Sequence, residues 1–180
     1  MTRTTDPAVG AASTSAAAPA PSSPDSDLRL PPGFRPMRRM GEFIGVNGPL
    51  CLRHEGDLVR LGFRVDKRHT NPLGICHGGM MATFCDMLLP ISAHVMSKEL
   101  APRFLPTINL QIDYLAASPL GAWVQGEAEL LRATRSLVFM QGLVQADGVS
   151  VARVSGIFKI GPPFDDTMRQ AREIAPPPGA

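Results

Sequence analysis

The chain is poor in cysteine: Cys51, Cys76 and Cys85 are the only three in 180 residues. An odd count with no C-x-x-C spacing excludes a disulfide framework and a closed structural zinc site, and it fits a reducing cytosol. No uninterrupted run of about 18 apolar residues occurs, so the sequence predicts no membrane span. Charge of one sign is also lacking. The 18 Lys+Arg nearly balance 16 Asp+Glu, for a net charge of +2, and no basic run marks a nucleic-acid footprint. No internal repeat is seen. What remains is 44% apolar and 19% charged, which excludes global disorder and fits one globular domain.

Composition divides the chain. Residues 1–27 are mostly Ala, Ser, Thr and Pro with scattered Asp and have no branched or aromatic run to bury, which predicts a disordered tail reaching to about residue 33. Arg3 ahead of an Ala-rich stretch suggests a signal peptide. No Leu/Val-rich segment follows, however, and Pro19, Pro21 and Pro24 interrupt the stretch. The other end, 161–180, is Pro-rich, with room for a short helix over 166–174. The globular domain is expected over residues 34–160.

Inside it the elements follow from pattern. Residues 50–54 and 58–65 read as strands joined by Glu55-Gly56-Asp57. An irregular stretch over 66–76 leads to Gly78-Gly79. From there residues 80–96 are apolar almost all round, with only Asp86 and His94 ionisable, which predicts a buried helix. Residues 107–115 alternate strictly, with Thr107, Asn109, Gln111 and Asp113 set against Ile108, Leu110, Ile112 and Tyr114. Three more strands are expected at 123–131, 137–146 and 149–160, the last two joined by a tight Asp147-Gly148 turn. The Leu137-Val138-Phe139-Met140 run predicts burial on both faces. A helix apolar on every side needs cover all round. A curved antiparallel sheet supplies most of it, and a second copy of the chain would supply the rest and cover the open sheet edge.

The segment over 71–86 carries the chemistry. Asp86 is a lone carboxylate in an apolar helix, costly to bury without partners. Pro90, four residues on, leaves the Asp86 carbonyl without its helical donor. His77-Gly78-Gly79 stands at the helix start, where N–H groups lack intrahelical acceptors and the dipole is positive. The glycines leave a substrate carbonyl free to approach, which describes an oxyanion site. Gly78 and Asp86 are eight residues apart, about 12 Å at ~1.5 Å per residue. One chain therefore cannot bring both to one carbonyl. Two such helices, antiparallel across a two-fold axis, can, so the chemistry requires a homodimer with two composite sites.

The pattern N-x-x-G-x-x-H-G-G-x(6)-D, formed by Asn71, Gly74, His77, Gly78, Gly79 and Asp86, resembles the hotdog-fold acyl-CoA thioesterases of the phenylacetate-pathway (PaaI-like) type. Asp113-Tyr114 and Ser118-Pro119 fit that family's strand after the helix, and the resemblance covers residues 40–160. It implies an α+β hotdog fold, a curved antiparallel sheet wrapped around one long helix. It also implies thioester hydrolysis. Asp86 would be general base or nucleophile, Gly78 N–H the oxyanion donor, and Asn71 a group holding the nucleophile or thioester. His77 would position that loop, and Thr107 would orient the acid or its water. Gly79 would lie against the substrate. Pro72 and Pro90 are less usual, and Pro90 bears on the acyl pocket. The substrate would be an acyl-CoA, with no cofactor and no metal, in a cytoplasmic homodimer or a dimer of dimers (homotetramer). Arg132 and Arg135, flanking a strand turn, are candidates for the nucleotide phosphates.

Other readings weigh less. Cys76, His77 and Cys85 match no closed zinc site, and Cys85 reads as a small buried hydrophobe. Met80, Met81, Met87 and Met96 read as core, with a further role lining an acyl pocket. His94 is expected at the helix surface or in the core, while His54 and His69 suggest no role. Two competing functions are a hotdog-fold hydratase or dehydratase and a non-catalytic acyl-CoA-binding module. The first resembles a His–Glu pair without this register, and the retained Asp86 speaks against the second.

Overall fold

A computed structural model describes residues 29–37, 40–56 and 58–165. The helix expected over 166–174 and the tail 1–27 lie outside the described residues. In chain order the elements are β1 (Arg35–Pro36), α1 (Gly41–Asn47), β2 (Cys51–Glu55), β3 (Leu58–Arg64), α2 (Gly78–Met96), β4 (Thr107–Tyr114), β5 (Trp123–Ala133), β6 (Leu137–Ala146) and β7 (Val149–Lys159). The strands form one sheet in the order β1-β2-β3-β5-β6-β7-β4, antiparallel at every step. The expected α+β hotdog architecture is what the chain adopts.

Helix α2 packs against β3, β4, β5, β6 and β7. Its Phe84, Cys85, Leu88 and Leu89 are fully buried, and each large apolar side chain so removed from water contributes roughly 1.5–3 kcal/mol. Close approach is built into the strands. A Cβ on Gly126 would lie 2.5 Å from Leu88 Cδ2, and one on Gly156 would lie 2.7 Å from Leu89 Cδ1. Glycine at these positions lets the helix settle against the sheet backbone. Among the described residues, α2 alone reaches by length and hydropathy what a membrane crossing needs. In this fold it is the core helix.

The β6–β7 turn is the expected one, with Asp147 (φ 47°) and Gly148 (φ 86°) both in the left-handed region that a type I′ turn demands. Two patterns depart from expectation. Leu137 and Phe139 are only half-buried beside buried Val138 and Met140, so β6 has one fully covered face. Strand β4 is not strictly alternating, because a register shift falls between Thr107 and Asn109 in its pairing with β7. Ile108 is the extra residue, and such a bulge re-aims its neighbours. Strand β4 is also an edge, and its Ile108 and Tyr114 are 57% and 56% exposed, with no Lys or Pro along it to block further pairing.

The packed chain extends beyond 34–160. Leu30 joins Phe34, Cys51 and Trp123 in a small apolar cluster, and residues 161–164 are hydrogen-bonded to 102–104. Helix α1 has no counterpart in the sequence-based expectations.

Candidate active site

Helix α2 begins where expected. His77 is its N-cap, with extended backbone, and His77 Nδ1 accepts from Gly79 N–H at 2.9 Å. That bond satisfies one of the orphan donors of the first turn. It also removes Gly79 N–H from any other use and leaves Gly78 N–H with no acceptor among the described residues. The loop before it is tied to itself. Asn71 Oδ1 accepts from Leu73 N–H (3.0 Å) and Ile75 N–H (3.4 Å), Asn71 N–H donates to the Ile75 carbonyl (2.9 Å), and Gly74 sits at φ 72°. The left-handed conformation explains Gly74, and the side-chain bonds explain Asn71 as the residue that folds the turn. His77 N–H, donating to the His69 carbonyl at 2.7 Å, anchors the far side.

Asp86 lies two turns further along α2 and is half-buried, not enclosed as the apolar sequence around it suggested. Thr107 Oγ1 donates to Asp86 Oδ1 at 2.6 Å. Strict alternation would have placed Thr107 on the opposite face of β4 from Leu110 and Ile112, which pack on the core. The bulge at Ile108 turns it inward. The second carboxylate oxygen has no partner among the described residues. Asp86 is one of the residues lining a cavity of about 360 Å³ whose walls are mostly apolar, among them Met87, Pro90, Ile91, Phe104 and Leu105.

Tyr114, at the other end of β4, was not among the expected site residues. Its hydroxyl donates to the Gly78 carbonyl at 2.9 Å, fastening the strand to the first turn of α2. Desolvation, then Cys85 and Cys76, hold that phenol above its ordinary value, so it stays a donor at neutral pH. Two signals touched it: the alternation along β4, which puts Tyr114 on the apolar side, and the fit of Asp113-Tyr114 to the family resemblance.

The expected residues thus fall into two groups within one chain. Asp86 and Thr107 meet at one end of β4. Gly78, Gly79 and His77 stand at the other, with Tyr114 bonded to Gly78, while Asn71 is bonded to Leu73 and Ile75 within the loop before them. Arg132 and Arg135 sit at the β5–β6 turn, exposed, and line neither the cavity nor the helix start. Of the cysteines, burial pushes the Cys76 thiol up to about 11 and the Cys85 thiol up to about 12, so neither is a ready nucleophile. Among the described residues no three His, Cys, Asp or Glu side chains gather to hold a metal.

Residues 73–152 match the family described as the thioesterase superfamily. Over 134 residues the chain is 25% identical to the Pseudomonas aeruginosa protein PA0474, whose name provisionally makes it an esterase; the match covers 74% of this chain and 98% of that one. It is 29% identical over 76 residues to mouse (Mus musculus) acyl-coenzyme A thioesterase 13, which covers 42% of this chain and 52% of that relative. Among solved structures, a hypothetical thioesterase protein of Streptococcus pneumoniae TIGR4, crystallised with coenzyme A, superposes with a TM-score of 0.52 at 20% identity, over 60% of this chain and 84% of that one. These matches bear out the expected family resemblance, the hotdog fold and the expected enzyme class.

Proposed function

We propose that this chain, whose residues 73–152 match the thioesterase superfamily, hydrolyses an acyl-CoA to the free acid and CoA in a site shared between two copies of itself. The observation that carries the reading is the Thr107–Asp86 hydrogen bond, 2.6 Å long, on the wall of an apolar cavity. A carboxylate fixed by a hydroxyl on the wall of a cavity is oriented to act on a group bound there.

The second half of the site comes from symmetry. Strand β4 is an unblocked edge with Thr107 at one end and Tyr114 at the other. Antiparallel pairing of two β4 edges about a two-fold axis sets the Thr107 end of one copy against the Tyr114 end of the other. Asp86 of one subunit then meets Gly78 of its partner, and the ~12 Å that separates them within one helix ceases to matter.

In the reaction the thioester carbonyl oxygen rests on Gly78 N–H. Asp86 takes a proton from water as the oxygen of that water bonds to the carbonyl carbon, and the oxyanion formed is held by the helix N-terminus. Collapse of the tetrahedral species breaks the C–S bond and releases the CoA thiolate. Direct attack by Asp86, giving a mixed anhydride that water then cleaves, is the covalent form of the same step. His77 acts by holding Gly79 N–H, which leaves Gly78 N–H as the donor. Asn71 shapes the loop, and Arg132 and Arg135 remain candidates for the CoA phosphates. The protein works in the cytoplasm as a dimer or a dimer of dimers, without a metal or further cofactor.

The test is a panel of acyl-CoA substrates followed with a thiol-detecting reagent, on wild type and Asp86→Asn. The reading expects thiol release from at least one substrate by wild type and a loss on the order of 10²–10⁴-fold in the variant. Equal rates in both proteins would refute it. Thiol-independent loss of acyl-CoA would point instead to hydratase chemistry.

A further inference from the structure

The cavity beside Asp86 has a direction. Asp86, Met87, Pro90, Ile91 and His94 line it along two turns of α2, so it runs about 12 Å from the carboxylate at ~1.5 Å per residue. At its far end two segments distant in sequence meet. Phe104 N–H donates to the Pro162 carbonyl (2.9 Å), Gly161 N–H to the Phe104 carbonyl (2.8 Å), and Phe164 N–H to the Pro102 carbonyl (2.7 Å). Arg103 Nε donates to the Gly161 carbonyl at 2.7 Å. Residues 161–164 are therefore a strap held by four hydrogen bonds against 102–104. There is no slack in it, because a Cβ on Gly161 would lie 2.8 Å from the Phe104 carbonyl oxygen.

The strap brings an aromatic wall. The Phe164 ring meets His94 edge-on, with centroids 5.7 Å apart, and Phe104 likewise at 6.3 Å. His94 is held from behind, its Nε2 lying 2.8 Å from the Arg103 carbonyl. His94, Phe104 and Phe164 all line the cavity.

We propose that residues 161–165 form the end wall of the acyl pocket and that Phe164 sets its length, selecting compact aryl or short acyl groups and excluding long chains. This rests on the proposed thioesterase reading, which places the thioester carbonyl at Asp86 and the acyl group in the cavity. A phenylacetyl group is shorter than the ~12 Å run from Asp86 to His94, whereas an extended palmitoyl group is longer. An aryl group also gains edge-to-face contact with the Phe104 and Phe164 rings.

The experiment measures equilibrium binding of phenylacetyl-CoA and palmitoyl-CoA by calorimetry, in an Asp86→Asn background that prevents turnover. With the strap intact, phenylacetyl-CoA is expected to bind at least tenfold tighter than palmitoyl-CoA. Phe164→Ala should shift that ratio at least tenfold toward palmitoyl-CoA, and Phe164→Leu should shift it less in the same direction. Far-UV circular dichroism verifies folding, and if the alanine variant is unfolded the leucine variant carries the test. A ratio unchanged within threefold in the folded variants overturns the proposal, as does binding of neither ligand. Hydrolysis by wild type, abolished by Asp86→Asn, with no change in the binding ratio would sink the end wall and leave the thioesterase reading standing. Altered binding with no hydrolysis of any thioester would do the reverse.

Discussion

Replacing Thr107 with valine removes one hydroxyl and almost nothing else. The side chain keeps its shape, and its site on an exposed edge strand predicts a stability change within about 0.5 kcal/mol. What is lost is the 2.6 Å hydrogen bond to Asp86 Oδ1. A hydrogen bond to a charged group contributes about 1.5–3 kcal/mol, and every ~1.4 kcal/mol is tenfold in rate. The full range corresponds to a loss of roughly 10–150-fold. Asp86 is half-buried, so water replaces part of the lost bond and the lower end applies, about 10–30-fold. The loss should fall on kcat with KM nearly unchanged, because Thr107 orients the carboxylate and valine keeps its shape where it lines the cavity. Thr107→Ser retains the hydroxyl and should restore most of the rate. Steady-state thiol release on the best substrate, alongside melting curves, decides the matter. A valine variant with more than half the wild-type kcat would show that the hydrogen bond is a bystander and that the bulge in β4 has no catalytic purpose.

Gly78→Ala should fold, since the added methyl lies 3.6 Å from the Tyr114 ring, an ordinary contact. Crowding the oxyanion donor should nevertheless cost about 10–10³-fold in kcat, up to the range for losing one such donor, as thiol-release kinetics would show. Gly126→Ala does the opposite. Its Cβ would press on Leu88 Cδ2 at 2.5 Å, so a destabilisation of about 1–3 kcal/mol is expected by denaturant titration, with activity near wild type where the protein stays folded. With thiols raised to about 11 and about 12, Cys76 and Cys85 should resist iodoacetamide at pH 8 in the native protein and react on unfolding. Rapid native labelling located at Cys85 by peptide mapping would contradict its burial.

Much of this was legible because the signals were local. Gly78-Gly79 after a histidine marks a helix start whatever the tertiary context, and His77 is indeed its cap. Asp147-Gly148 specifies a turn that only positive φ satisfies. An all-round apolar helix left one economical way to cover it. The misses are non-local. Period-two alternation has no symbol for a bulge, so the sequence could not show that Thr107 turns inward while Asn109 does not. Tyr114 became a site residue only when β4 was seen to end beside the Gly78 carbonyl. His94 read as surface or core because the strap that walls it off comes from residues 161–165, beyond a pair of prolines that seemed to end the domain.

The central claim is that the two halves of the site come from different subunits. Complementation measures it. Asp86→Ala destroys one half and Asn71→Ala the other, so each homodimer should be nearly inactive. In a mixed dimer one composite site carries both substitutions and the other carries neither. Heterodimers isolated through two different affinity tags should recover about half the wild-type kcat per dimer, with a wild-type KM. Purified heterodimers no more active than their inactive parents would place Asp86 and the helix start in one chain's site, and the account would be wrong.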